Sequence, residues 1–524
     1  MIKSLFNGTV PASACIPASI PYPSLFGAEF VSLEASHVAN FSSNVPIGVY
    51  ANHGAVEVDN VSYCNVTVSY THPGRNDHVN VQVWLPTDTW NGRLQAIGGA
   101  GWQAGLHQAG IMAMGAAVGD GYATVSTDAG LGSHVNATAW ALLSEGNVNQ
   151  DLLLNLASTS INDASVIAKS VITSFYGQAP KYSYFTGCSQ GGRQGMLLAQ
   201  RYPEAYDGIA ASAPGINWPQ VFSGGLWGTF LMDKLGEYPP ACEINAITDA
   251  ALEACDGNDG VIDGVITDPN SCDFKAATVV GTMVNCTELG SQRPVSSAAA
   301  TIVQGVWDGA KYEDGRPIWF GVSKGGALTG SMTDQALIPT SCSKNGTCTR
   351  DIYPLGEQWV TLFGMKKQNG TTANLSQEKY ERLAQSLVQE YRSFLGTDDP
   401  DLSAFQKRGG KLISYHGTTD SIIPVNGTLH YYDSVAAQIP DVHDFYRVFV
   451  APGVNHCFGG NGAYPDTTFD ALRSWVEEGI AVDTLPATSV GITPEIKRTL
   501  CPYPKKQVFG GAQNSTTVED SVCA

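Results

Sequence analysis

No apolar run in this chain reaches the roughly 18–20 residues that a membrane-spanning helix needs, which excludes an integral helical membrane protein. Basic residues are scarce. There are 29 Lys and Arg against 48 Asp and Glu, a formal net charge of −19. Such an acidic surface repels nucleic acid and anionic membranes, so both are excluded as partners. Charged residues of either sign make up only 15 %, against 43 % hydrophobic. That balance is globular rather than disordered, and with many Ser, Thr, Asn and Gly residues it suits a secreted protein. No CxxC pair occurs, so a metal–thiolate cluster is not expected. The start, "MIKSLFNGTVPASAC", has no apolar h-region; the expectation is an export signal already removed. There are no internal repeats and no low-complexity tracts.

What is present points to an oxidising compartment. The twelve cysteines are an even number, best read as disulfides. Asn7, Asn40, Asn60, Asn65, Asn136, Asn285, Asn345, Asn369, Asn374, Asn426 and Asn514 each head an N-x-S/T sequon, a density that fits a glycosylated, extracellular protein. The 524 residues exceed one compact core, so one large domain with a substantial insertion, or two domains, is expected.

Strand-like runs come early: "VSYCNVTVSYTH", "HVNVQVWLP", "LQAIGGAGW" and "GYATVSTDAG". "DLLLNLASTSINDASVIAKSVITSFYG" has helical spacing throughout, with Gly177 as its stop. "KYSYFTGCSQGGRQGMLLAQRYPEAYDGIAASAP" reads as strand, sharp turn, helix, strand. Alternating β and α elements imply a mostly parallel sheet and the α/β class. From about Trp218 to Arg408 the texture becomes irregular and Cys-rich; β/α texture then returns with "KLISYHGTTDSIIP" and "FYRVFVAPGVNHCFGG". The expected organisation is a first core part at 1–217, an inserted lid at 218–408 and a second core part at 409–524.

Within "FTGCSQGGRQG", Gly187-Cys188-Ser189-Gln190-Gly191 matches G-x-S-x-G. A nucleophilic serine needs a tight strand-to-helix turn, and the glycines two residues to either side leave room for it. The bland alternative is a glycine-rich turn. A serine hydroxyl also needs a base and an orienting carboxylate. On an α/β-hydrolase sheet these follow as Asp or Glu, then His, on later strand ends. Asp420 and His456 satisfy that order. Asp420 could instead initiate a turn and His456 be a loop histidine. The nearest rival, His416, stands at a strand end before a glycine and reads as structural. If Ser189 and His456 touch, their neighbours Cys188 and Cys457 fall within bridging distance. That bond would tie the nucleophile loop to the base loop.

Cys188-Ser189, Asp420 and His456-Cys457, in that order, resemble the signature of the tannase and feruloyl esterase family, which also includes the bacterial hydrolase of the terephthalate monoester released from polyester plastic. The resemblance runs from "GGAGW" to the last cysteine pair. It implies an α/β-hydrolase core with a large lid between the nucleophile segment and the Asp strand. The 231 positions from Ser189 to Asp420 require a large insertion in any case, since two βα units of roughly 30 residues would suffice to connect them. The oxyanion donors are expected to be the amide of Gln190 and one from "GGAGW", with Gly101 the candidate; the glycines could equally just permit a tight turn.

In "CDGNDGVIDGVITDPNSC", Asp256, Asp259 and Asp263 crowd together. Clustered carboxylates suit Ca2+, or form a solvated acidic turn. The segment is similar to the family's lid calcium loop. That resemblance implies Asp256, Asp259 and Asp263 as side-chain ligands, the carbonyls of Val261 and Val265 as further ligands, and Cys255–Cys272 as a clamp. Cys342–Cys348, Cys501–Cys523 and Cys15–Cys64 would close further loops. Cys242–Cys286 remains by elimination and departs from the expected family pattern.

The reading is a secreted serine carboxylesterase acting through an acyl-enzyme on hydroxycinnamate (feruloyl) esters, free or attached to plant polysaccharide. Galloyl esters, the substrate of a tannase, are the alternative. A non-catalytic hydrolase-like binding protein and a serine peptidase on the same fold also stay open. Trp218, Phe222, Trp227, Tyr353, Trp359 and Phe363 could furnish the lid with an aromatic-binding surface, or simply pack.

Overall fold

The protein is described by a computed structural model covering residues 10–330, 336–509 and 521–524. Asn7 and Asn514 lie outside the described residues. Nine strands make the main sheet: β1 (Glu29–Val45), β2 (Val56–Thr71), β3 (Val79–Pro86), β4 (Arg93–Ile97), β5 (Ala123–Thr127), β6 (Tyr182–Cys188), β7 (Gly208–Ser212), β8 (Lys411–Gly417) and β9 (Tyr446–Ala451). Their order is β1-β2-β3-β5-β4-β6-β7-β8-β9. The pairs β1–β2, β2–β3 and β3–β5 are antiparallel, and every later pair is parallel. The parallel strands are buried nearly end to end because both their faces are covered.

Helices supply that cover. On one face α2 (Thr159–Tyr176), α3 (Gln190–Arg201) and α4 (Val425–Gln438) bury Ile167, Val171, Met196, Leu197 and Tyr432. On the other, α1 (Gln108–Gly119) and α5 (Thr468–Glu478) bury Met114, Val118, Phe469, Leu472 and Trp475. This three-layer architecture is that of an α/β hydrolase.

Between β7 and β8 the chain leaves the sheet. It forms helices at Ala241–Cys255, Ser297–Asp308 and Gln377–Leu395, two small hairpins and a π-helical turn at Trp359–Gly364. This insertion has its own apolar centre, including Phe230, Ile244, Ile302, Val303, Trp359 and Leu387. Six disulfides pair Cys15–Cys64, Cys188–Cys457, Cys242–Cys286, Cys255–Cys272, Cys342–Cys348 and Cys501–Cys523, and none of the described cysteines is free. No helix among the described residues is long and apolar enough to cross a membrane.

One element departs from the sequence reading. The helical run from Asp151 to Gly177 is two helices, Gln150–Ala157 and α2, broken at Ser158 (φ −153°). The break leaves the Leu156 and Ala157 carbonyls without helical partners, and the Arg193 guanidinium takes both at 3.0 Å. A contact from α3 thus compensates a kink that local spacing does not reveal.

Candidate active site

Four loops meet beyond the carboxyl ends of the parallel strands, the usual place for a site on such a sheet. Ser189 joins β6 directly to α3 with φ 62° and ψ −122°, a backbone region that costs a non-glycine residue roughly 1–3 kcal/mol. Surrounding contacts hold it there. The Ser189 N–H donates to the Ser212 carbonyl at 3.1 Å, and its own carbonyl accepts from Gly215 and Arg193. A Cβ at Gly187 would lie 2.6 Å from the Gly191 backbone, and one at Gly191 would lie 2.9 Å from the Gly99 carbonyl. Glycine is required at both places by contact.

The Gly98–Gly101 loop follows β4 and rests on this turn. A Cβ on Gly98 would stand 2.8 Å from Gly191 Cα. Ala100 and Gln103 exchange backbone hydrogen bonds around Gly101, whose φ of 53° suits glycine. Gln194, fully buried on α3, ties the loop down. Its Oε1 accepts from Gly99 N at 2.8 Å and its Nε2 donates to Ala104 O at 2.9 Å. Gln190 opens α3, where amides have no intrahelical acceptor. Its side chain is held by Arg193 Nε at 2.7 Å. Sequence reasoning missed Arg193 and Gln194, since charged and amide side chains on a helix ordinarily face water. Burial pushes the Arg193 guanidinium down to about 9.

Asp420 lies in the turn after β8 and is almost completely buried. Its Oδ1 accepts from the amides of Ile422 and Ile423, both at 2.9 Å. Its Oδ2 faces His456 Nδ1 at 2.7 Å and His416 Nε2 at 3.1 Å. Burial opposes the charged carboxylate, but the two histidines outweigh it and hold Asp420 below the ordinary range. His456 sits on the loop after β9. The Cys188–Cys457 bridge, Cα to Cα 5.9 Å, anchors that loop beside Ser189. Tyr415 Oη donates to the Cys457 carbonyl at 2.5 Å from beneath. The structure therefore gathers Ser189, Gln190, Gly101, Asp420 and His456 into one region, and adds His416.

The acidic loop is more closely bonded than its sequence suggests. Asp256 accepts the amides of Asp263, Gly264 and Val265. Asp259 accepts Val261 N and the Thr267 hydroxyl. Asp263 Oδ2 pairs with Arg498 at 2.5 Å, from a strand near the C-terminus. Among the described residues no three metal-ligating side chains converge on one point. Asp263 Oδ1, however, is buried without a partner. Burial, with Asp256 and Asp259 nearby, raises the Asp263 carboxyl against the pull of Arg498. An orphaned buried oxygen among carboxylates fits a hard cation.

The insertion's aromatics are mostly interior. Trp218, Phe222, Tyr353, Trp359 and Phe363 are each no more than 4 % exposed. Trp102, next to Gly101, stacks on Phe363 with centroids 5.3 Å apart and packs on Trp218 and Trp359. These five insertion aromatics form no open ligand surface, whereas Trp227 is half-buried. Trp218, Trp359 and Phe363 instead clasp Trp102, and with it the Gly98–Gly101 loop, to the insertion.

A hydrolase sheet with a strained serine turn and an Asp–His pair at its carboxyl end defines the class. The comparisons define the family. The family model described as "Tannase and feruloyl esterase" matches residues 64–524. A protein from Arthroderma benhamiae named "Probable feruloyl esterase" is 37 % identical over 95 % of this chain and 92 % of its own. The "Tannase" of Aspergillus oryzae is 29 % identical over 87 % of this chain and 85 % of its own. Among solved structures, "Tannin acyl hydrolase from Aspergillus niger" superposes with a TM-score of 0.87 at 27 % identity, covering 99 % of this chain and 96 % of that one. The chain belongs to the tannase and feruloyl esterase family and is a carboxylic ester hydrolase.

Proposed function

We propose that this protein is a secreted serine esterase that hydrolyses feruloyl and related hydroxycinnamate esters through an acyl-enzyme. The observation that carries it is the 2.7 Å Asp420–His456 pair tethered by Cys188–Cys457 to the strained Ser189 turn. Ser189 Oγ attacks the ester carbonyl as His456 takes its proton. Asp420 orients His456 and stabilises the imidazolium. The Gln190 amide and one from the Gly101 turn stabilise the oxyanion. His456 then protonates the leaving alcohol, and water, activated by the same histidine, releases the acid. The serine proton thus leaves with the alcohol, and a proton taken from water by His456 restores Ser189 Oγ as the acid departs.

The feruloyl choice rests on the 37 % identical relative's name; the tannase structure supports galloyl esters as the second reading. Six disulfides support secretion. The 255–272 loop is proposed to hold a structural Ca2+ through Asp256, Asp259 and Asp263 with the carbonyls of Val261 and Val265. The ion would neutralise the gathered carboxylates.

The test is acid release from methyl ferulate and methyl gallate by wild type and Ser189→Ala. The variant should lose at least about 10³-fold in kcat with an unchanged melting temperature. Turnover retained by the variant overturns the serine mechanism, and preference for gallate replaces the first substrate reading with the second.

A further inference from the structure

We infer that His416 is a positioning residue of this site, a second histidine that shares the triad carboxylate with His456; the inference rests on the serine-esterase reading above. His416 is the last residue but one of β8, four residues before Asp420, and is wholly buried. Both ring nitrogens are engaged. Nε2 lies 2.8 Å from the Ile423 carbonyl and 3.1 Å from Asp420 Oδ2. Both partners are acceptors, so Nε2 carries hydrogen. Nδ1 lies 2.9 Å from Thr428 Oγ1 on α4, whose hydroxyl hydrogen it takes.

The consequence falls on one oxygen. Asp420 Oδ2 receives Nδ1–H of His456 and Nε2–H of His416, while Oδ1 receives two backbone amides. A carboxylate oxygen that serves two donors holds each less tightly than one that serves a single donor. His416 therefore does two things through Asp420. It locks the carboxylate plane, fixing the tautomer and tilt of His456. It also moderates the pull of Asp420 on the His456 proton, so that the base can return that proton to the leaving alcohol.

Other titratable groups near the pair are few. The Tyr353 phenol, from the insertion, and the Tyr415 phenol, on β8, both sense the Asp420 charge, and burial keeps both far above the ordinary phenol range. Cys188 and Cys457 are bridged. His416 thus acts on His456 only through the Asp420 carboxylate that both rings bond.

The experiment compares His416→Gln with His416→Asn. A glutamine amide nitrogen reaches the place of Nε2; an asparagine amide reaches only that of Nδ1. kcat and KM for methyl ferulate are measured from pH 4 to 9 for wild type, both variants and Ser189→Ala. The Asn variant should lose about tenfold in kcat with KM within about twofold, and its acid limb should move to higher pH by about half a unit or more. The Gln variant should restore the wild-type limb. If the Asn variant fails to fold, His416→Leu, apolar and without a donor, carries the same expectation. An acid limb unmoved in the donorless variant, or moved equally in the Gln variant, overturns the inference while leaving the triad standing, provided Ser189→Ala is inert. Turnover by Ser189→Ala removes the triad reading and this inference with it.

Discussion

At the scale of single residues, the site rests on fully buried side chains that brace its loops. Gln194 spans two layers, with its amide group bonded to both arms of the Gly98–Ala104 loop. Gln194→Ala leaves Gly99 N–H and Ala104 C=O unpaired in the interior. The expected cost is about 1–3 kcal/mol of stability, read as a fall in urea midpoint. The loop carries a proposed oxyanion donor, so kcat should fall by about 10–100-fold with little change in KM. An unchanged kcat with reduced stability would limit Gln194 to a packing role. His416, Arg193 and Gln194 show where sequence reading stops. That Ser189, Asp420 and His456 would be brought together was legible because all three follow strand ends in a fixed order. His416 was read only as structural, and Arg193 and Gln194 were missed because their partners lie on other elements: Leu156 before α2 and Ala104 beyond β4.

At the scale of elements, two fastenings stand out. The first joins the β2–β3 turn to α2. His72 Nδ1 meets Asp77 at 2.6 Å and Nε2 meets Asp163 at 3.2 Å, and Asn155 also donates to Asp77. Bonding to Asp163 and Asp77 raises His72 despite its burial. A raised histidine stabilises the fold fully below its unfolded value of about 6.5 and loses that contribution as pH rises through the folded value. The melting-temperature deficit of His72→Gln should therefore be larger at pH 5 than at pH 9. An equal deficit at both would assign the network to packing alone. The second fastening is the 255–272 loop. If it takes calcium, millimolar Ca2+ should raise the melting temperature by several degrees and EGTA should reverse it, with Asp263→Asn abolishing the effect. No calcium dependence, with Asp263→Asn still destabilising, would mean that the Arg498 pair alone holds the loop. Strand β1 was missed in the sequence because its buried positions are sparse: its outer face is water and its pattern alternates weakly. The parallel strands stood out because they are buried on both faces.

At the scale of the whole molecule, the insertion and core are one system. Trp102 of the core is stacked into the insertion's aromatic centre, and Arg498 reaches from the C-terminal region into the acidic loop. The sequence made the insertion visible as a change of texture. It did not show that the aromatics would face inward, because that depends on Trp102 and Trp140 arriving from the core. The Cys188–Cys457 bridge spans 269 positions and, in the loop-entropy picture, contributes about 5 kcal/mol. Replacing both cysteines by alanine should lower the melting temperature and cut kcat even well below it, since the His456 loop loses its tether. Full kcat at low temperature would show that Tyr415 and Asp420 suffice to place the loop.

That same bridge sets a timetable for biosynthesis. Cys188 leaves the ribosome long before its partner. At roughly 5–20 residues per second, the intervening chain takes about 15–50 s to make. During that interval Cys242, Cys255, Cys272, Cys286, Cys342 and Cys348 all emerge, each a competing thiol for an unpaired Cys188. The six pair among themselves within the insertion. With those six paired to one another, none of them is left to compete with Cys457 for Cys188 in the finished chain.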